Sequence, residues 1–506
     1  MRKLLKTLLT RRFIVCFLLL VQILLIVFLI WFRASRIILS VLNLLSLIII
    51  IYVINRRDKP AYKIVWIIIM LTFPLFGGLL YLILTWQVKS GKFRKSAKER
   101  DDEAASYLPV NKEVKEEFNS QNPQHAAQVN YLTDFARFPM YKNTGSEFYS
   151  PGEKFFSVFL EELEKAKEFI FIEYFIISPG SMWDRILDIL KRKAEEGVEI
   201  RVMYDDMGCI SLLPQKYYKE LEKFGIKCVA FNPFRPIWSS VQNNRDHRKI
   251  VIIDSKVAVT GGINIADEYI NEKKRFGYWK DCAVIVRGEA VRSFTVMFLQ
   301  LWNASKNTKE DFSIYLAKTT ENSYCNGYII PYCDAPTDDE NVCEHVYLQI
   351  INNARKYVYI ETPYFIVDDS MLSAFILAAK SGVDIRIITP GIPDKKFVHL
   401  TTRSYYYSLI EAGVKIYEYT PGFIHSKVVI SDDDTATVGT ANFDFRSLYL
   451  HFECGELIFN SSTVEEMKKD FLGMLPLCHE VTVREAKRNI FVRFGQSVLR
   501  IIAPLL

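Results

Sequence analysis

Two short stretches of this 506-residue chain carry the same reactive side chains. The first is His247-Arg-Lys249-Ile-Val-Ile-Ile-Asp254; the second is His425-Ser-Lys427-Val-Val-Ile-Ser-Asp432. Both have the form H-x-K-x-x-x-x-D. Each is followed by small residues and an amide, Gly261-Gly262-Ile-Asn264 and Gly439-Thr440-Ala-Asn442. The same 178 positions separate His247 from His425 and Asn264 from Asn442. On a strand, residues i and i+2 face the same way, so each His projects beside its Lys. The residues that follow are apolar. An imidazole and an ammonium do not belong in a dry core unless they are paired or functional.

Two His and two Lys converging in one cleft would make a phosphate site. The Lys would supply charge to non-bridging oxygens, and the Asn264 and Asn442 amides would donate to the same atoms. One imidazole would attack phosphorus and become a phospho-histidine. The other would protonate the leaving alkoxide, then deprotonate an incoming alcohol or water. A neutral nucleophilic His needs its far nitrogen held, and a carboxylate does that best. Glu173 and Glu361 occupy equivalent predicted strands and are candidates for this, or for fixing the Lys. Asp254 and Asp432 complete the catalytic motif; near strand ends, they are expected to hold local structure. A lone motif would more often be a structural His with a surface Lys; two copies in register favour function. No metal or cofactor is expected, because the Lys would repel a cation and no further ligand has suitable spacing.

The elements around the motifs repeat as well. Phe169–Ile177 reads as a strand buried on both faces. Ile186–Glu196 is predicted as a helix ended by Gly197, before a strand at Val198–Tyr204. Lys216–Phe224 is predicted as a helix ended by Gly225, before a strand at Ile226–Phe231. The order recurs downstream. Glu173 maps on Glu361 and Gly225 on Gly413, both 188 residues apart. An internal duplication is the economical explanation. The expected fold is α/β, with two pseudo-symmetric halves of mixed sheets flanked by helices, at about 131–320 and 321–482.

The N-terminal region differs. Half of the chain is hydrophobic and the mean hydropathy is +0.08. Much of that lies in three apolar runs, about 13–32, 37–54 and 65–86, each of the length a membrane-spanning helix needs. Residues 1–88 are therefore predicted as a multi-pass anchor in a cell membrane. Lys and Arg are so evenly shared between alternate sides that the side of the catalytic part stays open. Residues 89–130 read as a polar linker, and 483–506 as a C-terminal amphipathic or interfacial helix. A net charge of +6 points only weakly to an acidic partner. No continuous basic stripe with aromatics appears in the polar half, so no nucleic-acid partner is expected. Nine Cys without a C-x-x-C fit neither a zinc knuckle nor a dense disulfide framework. Oligomeric state is not legible.

With these motifs the sequence resembles the phospholipase D superfamily, and within it the bacterial cardiolipin synthases. Ile172-Glu173-Tyr-Phe, Tyr204-Asp-Asp-Met-Gly208, Asn243-Asn-Arg-Asp-His247, Trp279-x-Asp281, Ile360-Glu-Thr-Pro-Tyr-Phe365 and Gly439-Thr-Ala-Asn-Phe-Asp-Phe-Arg-Ser447 carry the likeness. It covers roughly residue 37 to the C-terminus. Such enzymes usually show two N-terminal spans, so the run at 13–32 is an addition. The resemblance implies phosphatidyl transfer between two phosphatidylglycerol molecules, giving cardiolipin and glycerol without a metal. It favours His247 as nucleophile and His425 as general acid and base. Phosphatidylglycerol and membrane lipids are the implied partners. The same site would also serve a phospholipase D-type hydrolase of membrane phospholipids, or a membrane-tethered phosphodiesterase or nuclease.

Overall fold

The computed structural model describes residues 24, 35–73, 77–82, 91–142, 144–234, 240–316, 327–338 and 340–505. They form two compact units. The larger combines Ala97–Pro233 with Arg245–Gln496; the smaller takes the described residues of Met1–Ser96, Phe234–Asn244 and Ser497–Leu506.

The larger unit is a mixed α/β structure. Its strands are, in chain order, β1 (Thr144–Tyr149), β2 (Phe169–Tyr174), β3 (Glu199–Asp205), β4 (Lys227–Phe231), β5 (Arg245–Asp246), β6 (Lys249–Ile253), β7 (Val257–Gly261), β8 (Tyr278–Lys280) and β9 (Ala283–Gly288). Then follow β10 (Tyr328–Asp334), β11 (Tyr357–Glu361), β12 (Phe365–Ile366), β13 (Asp384–Pro390), β14 (Lys415–Tyr419), β15 (Gly422–Ile424), β16 (Val428–Ser431), β17 (Thr435–Gly439), β18 (Phe443–Asp444), β19 (His451–Phe459) and β20 (Cys478–Glu480). One sheet runs β1-β9-β7-β6-β2-β3-β4; the other runs β10-β19-β17-β16-β11-β13-β14-β20. Position for position, the first seven strands of the second sheet repeat the first sheet. The pairing senses repeat too: β6-β2 and β16-β11 are antiparallel, β2-β3 and β11-β13 parallel. The duplication read from spacing is thus a duplication of topology.

Burial follows from the alternation of side chains along a strand. In β2, Phe169 and Phe171 join a core that both sheets share, while Ile170 and Ile172 face a second core. Two helices fill the shared core, Val291–Lys306 through Phe294, Phe298 and Trp302, and Ser462–Met474 through Val464, Met467 and Phe471. Gly152–Glu164 and Ser181–Glu195 cover the outer face of the first sheet. The halves therefore share a large part of their apolar interior, which ties the two motifs together.

The segment expected as a polar linker is largely helical, at Gly91–Ser106, Lys112–Gln121 and Ala126–Asn130. It is not a free tether. Phe118 is fully buried, with its ring 4.9 Å from both Tyr328 and Phe459. A few apolar residues in a charged stretch suffice to dock it.

In the smaller unit, helices Ser35–Ile54 and Pro60–Thr72 pack around Ile50, Val53, Met70 and Tyr81. Arg56 donates to the Tyr81 hydroxyl at 3.1 Å. Among the described residues no helix is long and apolar enough to cross a membrane. The run at 13–32 lies outside the described residues except for Leu24. The run at 65–86 does not form one helix: Phe73 leaves helical geometry, at φ −132° and ψ 76°. The cause is Pro74, whose ring disfavours the helical conformation in the residue before it. On the Ser35–Ile54 helix, Val41, Leu44, Leu45, Leu47, Ile48 and Ile51 are exposed. At the C-terminus, Ile490–Ile502 is a helix exposing Ile490, Phe491 and Phe494.

Candidate active site

Each motif His is delivered by pairing with the other half of the molecule. β5 pairs in parallel with β19, Arg245 opposite His451 and Asp246 opposite Phe452. The His247 amide continues the ladder to the Phe452 carbonyl at 3.0 Å. β15 pairs in parallel with β8, Ile424 opposite Lys280, and the His425 amide continues to the Lys280 carbonyl at 2.7 Å. The next register positions are Glu453 and Asp281. Glu453, from the second half, meets Nδ1 of His247 at 2.9 and 3.0 Å. Asp281, from the first half, meets Nδ1 of His425 at 2.7 Å. The orienting carboxylates are crossed between the halves.

This corrects the expectation for Glu173 and Glu361. Neither contacts a motif His or Lys by hydrogen bond. Glu173 accepts from Arg248 Nε at 2.6 Å, and Arg248 also lies 3.5 Å from Asp246. All three are buried, and burial pushes both carboxyls up while the guanidinium pulls them down. Glu361 is fully buried with neither oxygen hydrogen-bonded; burial, more than the nearby Asp470, raises it. Strand equivalence found a matched pair of acids, but they pair opposite Ile250 and Val428, three positions beyond the imidazoles.

The electrostatics of the crossed pairs are clear in direction. Burial, offset in part by Glu453 and reinforced by Lys249, pulls His247 from 6.5 down to about 3. Burial and Lys427 pull His425 down to about 4 against Asp281. For Glu453, burial opposes ionisation, but the charge and hydrogen bond of His247 hold it well below the usual carboxylate range. At neutral pH each site is therefore a neutral imidazole. With the proton on Nδ1, donated in a hydrogen bond to the carboxylate, Nε2 keeps a free lone pair. Lys249 donates to the His247 carbonyl at 2.6 Å, and Lys427 donates to the His425 carbonyl and lies 3.0 Å from His425 Nδ1. Burial lowers Lys249 to about 8 and Lys427 to about 7. Two soft cations and two neutral imidazoles suit an anionic phosphodiester.

Asp254 and Asp432 lie at the far ends of β6 and β16 from the imidazoles. Each opens a two-residue turn in left-handed conformation: Asp254 and Ser255 at φ 52° and 51°, Asp432 and Asp433 at 54° and 71°. Such turns match the twist of a tight hairpin. The Asp254 carboxylate accepts from the amides of Lys167, Glu168 and Phe169 at 2.8–2.9 Å. Asp432 accepts from Arg355, Lys356 and Tyr357 at 2.6–2.9 Å. Both pin the hairpin to the start of the neighbouring strand.

Asn264 is bonded within its own half, accepting from the Ile176 amide at 3.2 Å and donating to the Tyr269 hydroxyl at 2.8 Å. Asn442 donates to Asp444 at 3.2 Å, and its carbonyl oxygen is buried without a partner. The glycines before them have a spatial reason. A Cβ on Gly261 would lie 2.5 Å from the Cys282 carbonyl oxygen, and one on Gly439 would lie 2.4 Å from that of Cys454.

Sequence reasoning missed Glu453, Asp281, Thr440 as a site residue, and His451. Thr440 donates to Glu453 Oε2 at 2.5 Å. His451 places its ring 5.5 Å from that of His247. A signal for the acids existed: Asp281-Cys282 and Glu453-Cys454 each stand where a strand begins after a motif. His247, His451 and Glu453 also bring potential metal-ligating atoms within 4.8 Å of one another. Both Glu453 oxygens already accept hydrogen bonds, from His247 and Thr440, and the Lys249 charge opposes a cation. A His247–Glu453–Thr440 hydrogen-bonded chain, with His451 beside it, fits these contacts better than a metal centre.

Known proteins resemble this chain along most of its length. The family described as cardiolipin synthase, PLD-like domain, matches residues 159–302 and 347–475, and the phospholipase D-nuclease N-terminal family matches 41–84. The chain is 37% identical over 462 residues to cardiolipin synthase 2 of Bacillus anthracis, covering 90% of this chain and 89% of that one. It is 34% identical over 474 residues to a cardiolipin synthase of Geobacillus sp. strain WCH70, covering 92% and 94%. The crystal structure of phosphatidylserine synthase from Haemophilus influenzae Rd KW20 shares the fold, with a TM-score of 0.56 at 16% identity over 71% of this chain and 93% of that one. A duplicated motif pair, matched along nearly the whole chain, makes this protein a member of the cardiolipin synthase family within the phospholipase D superfamily, a phosphatidyltransferase.

Proposed function

We propose that the protein transfers a phosphatidyl group from one phosphatidylglycerol to another, giving cardiolipin and glycerol through a phospho-histidine. The observation that carries this is the crossed pair of His–carboxylate contacts, which leaves two Nε2 atoms available beside two buried Lys. Lys249 and Lys427 take the non-bridging oxygens. His247 Nε2 attacks phosphorus, and its growing positive charge is stabilised by Glu453. His425, neutral in the free site, takes a proton from water onto Nε2 when the anionic phosphodiester binds and raises its basicity, and gives that proton to the departing glycerol oxygen. His425 then takes the proton of the second lipid's hydroxyl, which attacks the P–N bond and releases cardiolipin. Asn442, with an unpartnered carbonyl oxygen, is a substrate-binding candidate, and Asn264 a positioning one. Asp254 and Asp432 act through the backbone.

Residues 1–88 are read as the membrane anchor. The exposed Leu and Ile of the Ser35–Ile54 helix suit contact with lipid. The exposed Phe491 and Phe494 suit an interfacial position for the C-terminal helix. These exposed apolar faces support the reading of a protein associated with the bacterial cell membrane, where its lipid substrate lies. The two catalytic halves follow the sheets, about 131–320 and 321–482, although the boundary at 320 lies outside the described residues. Purified full-length protein with headgroup-labelled phosphatidylglycerol tests the reading. Cardiolipin with one glycerol released per turnover is expected. Phosphatidic acid as the sole lipid product would make it a hydrolase instead.

A further inference from the structure

The two halves surround their imidazoles with different rings. Two residues before Glu453 stands His451; two residues before Asp281 stands Trp279. The placements are equivalent. His451 lies 5.5 Å from the His247 ring at 42°, and Trp279 lies 5.6 Å from the His425 ring at 46°. An indole can only donate a hydrogen bond, whereas an imidazole can donate, accept and carry charge.

Both rings leave polar atoms without a hydrogen-bond partner, Trp279 at Nε1 and His451 at both nitrogens. The His451 side chain is 10% exposed. Its Nδ1 lies 3.7 Å from Glu453 Oε1, beyond hydrogen-bond reach, and that oxygen already serves His247. Buried polar side chains in folded proteins are nearly always paired. Here the approach to Glu453 is only a long one at Nδ1, and Nε2 has no hydrogen-bond partner, beside the imidazole that becomes phosphorylated.

We propose that His451 is a third catalytic imidazole, which donates a hydrogen bond to a non-bridging oxygen of the phosphoryl group carried on His247. The inference rests on the phosphatidyl-transfer reading and assigns one more residue to it. In the first step the His247 Nε2 lone pair forms the P–N bond, the P–O bond to glycerol breaks, and the glycerol oxygen takes its proton from His425. In the second step the acceptor hydroxyl gives its proton to His425, its oxygen forms the new P–O bond, and the P–N bond breaks. His451 exchanges no atom in either step. Its N–H is strongest where negative charge on the oxygens is greatest, in the five-coordinate transition states. With Trp279 in the counterpart position, where an indole can donate but neither accept nor carry charge, the halves are chemically unequal.

The test compares full-length His451→Phe and His451→Gln with the wild type on phosphatidylglycerol in mixed micelles. Removing one such donor lowers kcat on the order of 100-fold, so that loss is expected for His451→Phe, with KM little changed. His451→Gln keeps an N–H and is expected to recover most of the rate. A His451→Phe enzyme with wild-type kcat overturns the proposal, as does a His451→Gln enzyme as slow as His451→Phe. Should the Phe variant fail to fold, His451→Met carries the same comparison. Absence of cardiolipin from the wild type would instead defeat the transfer reading itself, so the two failures are distinct.

Discussion

The two halves of the catalytic unit share strand order and pairing sense, yet their interiors are filled differently. At the residue after the motif histidine, the first half has Arg248, locked between Glu173 and Asp246, and the second has Ser426. Where the second half has Thr440 donating to Glu453, the first has Gly262. A Cβ on Gly262 would lie 2.1 Å from Asp281 Oδ1 and 2.9 Å from the His425 carbonyl oxygen. The teaching of this difference is that duplication preserved the frame and the reacting groups, while the supports around each imidazole diverged. A symmetric site has no preferred nucleophile; this one has distinct surroundings for each His.

The comparison breaks most sharply at the imidazoles. His247→Ala and His425→Ala should each lower kcat by about 10⁴-fold or more, as for residues that act as a unit. They should differ in the intermediate. Quenching in detergent at neutral to alkaline pH, where a P–N bond survives, should trap phosphorus-labelled enzyme in His425→Ala and none in His247→Ala. The reverse pattern would exchange their roles. Next come the crossed acids: Glu453→Gln and Asp281→Asn should each slow turnover about 10²- to 10³-fold, by releasing the tautomer that frees Nε2. Wild-type rates in both would show that the crossing is only architectural.

Smaller effects separate the supports. Glu173→Ala leaves Arg248 buried with only Asp246, so a loss of about 3 kcal/mol is expected in denaturant melts of the solubilised protein. Glu361→Gln should change stability by less than about 1 kcal/mol, because burial favours the neutral acid that Gln mimics. Equal losses would contradict the assigned difference. The gentlest probe is pH. His247 stays neutral above about 3, whereas His425, the acid of the first step, gains its proton only near 4 in the free site, so kcat/KM should rise as pH falls from 7 towards 5. Lys427 and Lys249 lose their charge as pH rises through about 7 and 8, so kcat/KM should fall there. A profile flat to pH 10 would remove the Lys from phosphate binding.

Much of this was legible in the residues. Period-two burial, Gly-terminated helices and constant offsets marked both sheets, and the motif spacing marked His247, Lys249, His425 and Lys427. The orienting acids were not legible, because pairing arguments within one repeat pointed to Glu173 and Glu361. Glu453 and Asp281 reach their imidazoles through two short parallel ladders, β5 with β19 and β15 with β8. Those ladders join different repeats, and nothing in local periodicity reports such a register. The third apolar run read as one span because hydropathy does not register that Phe73, before Pro74, leaves the helix.

The crossing also sets a timetable. His247 and Lys249 leave the ribosome well before the chain is complete, but the acid that orients His247 lies 206 residues later. A nascent or truncated chain can build its first sheet and still hold an unoriented nucleophile. Phosphodiester chemistry next to a membrane is thereby withheld until synthesis has passed Glu453 and the halves have closed on each other.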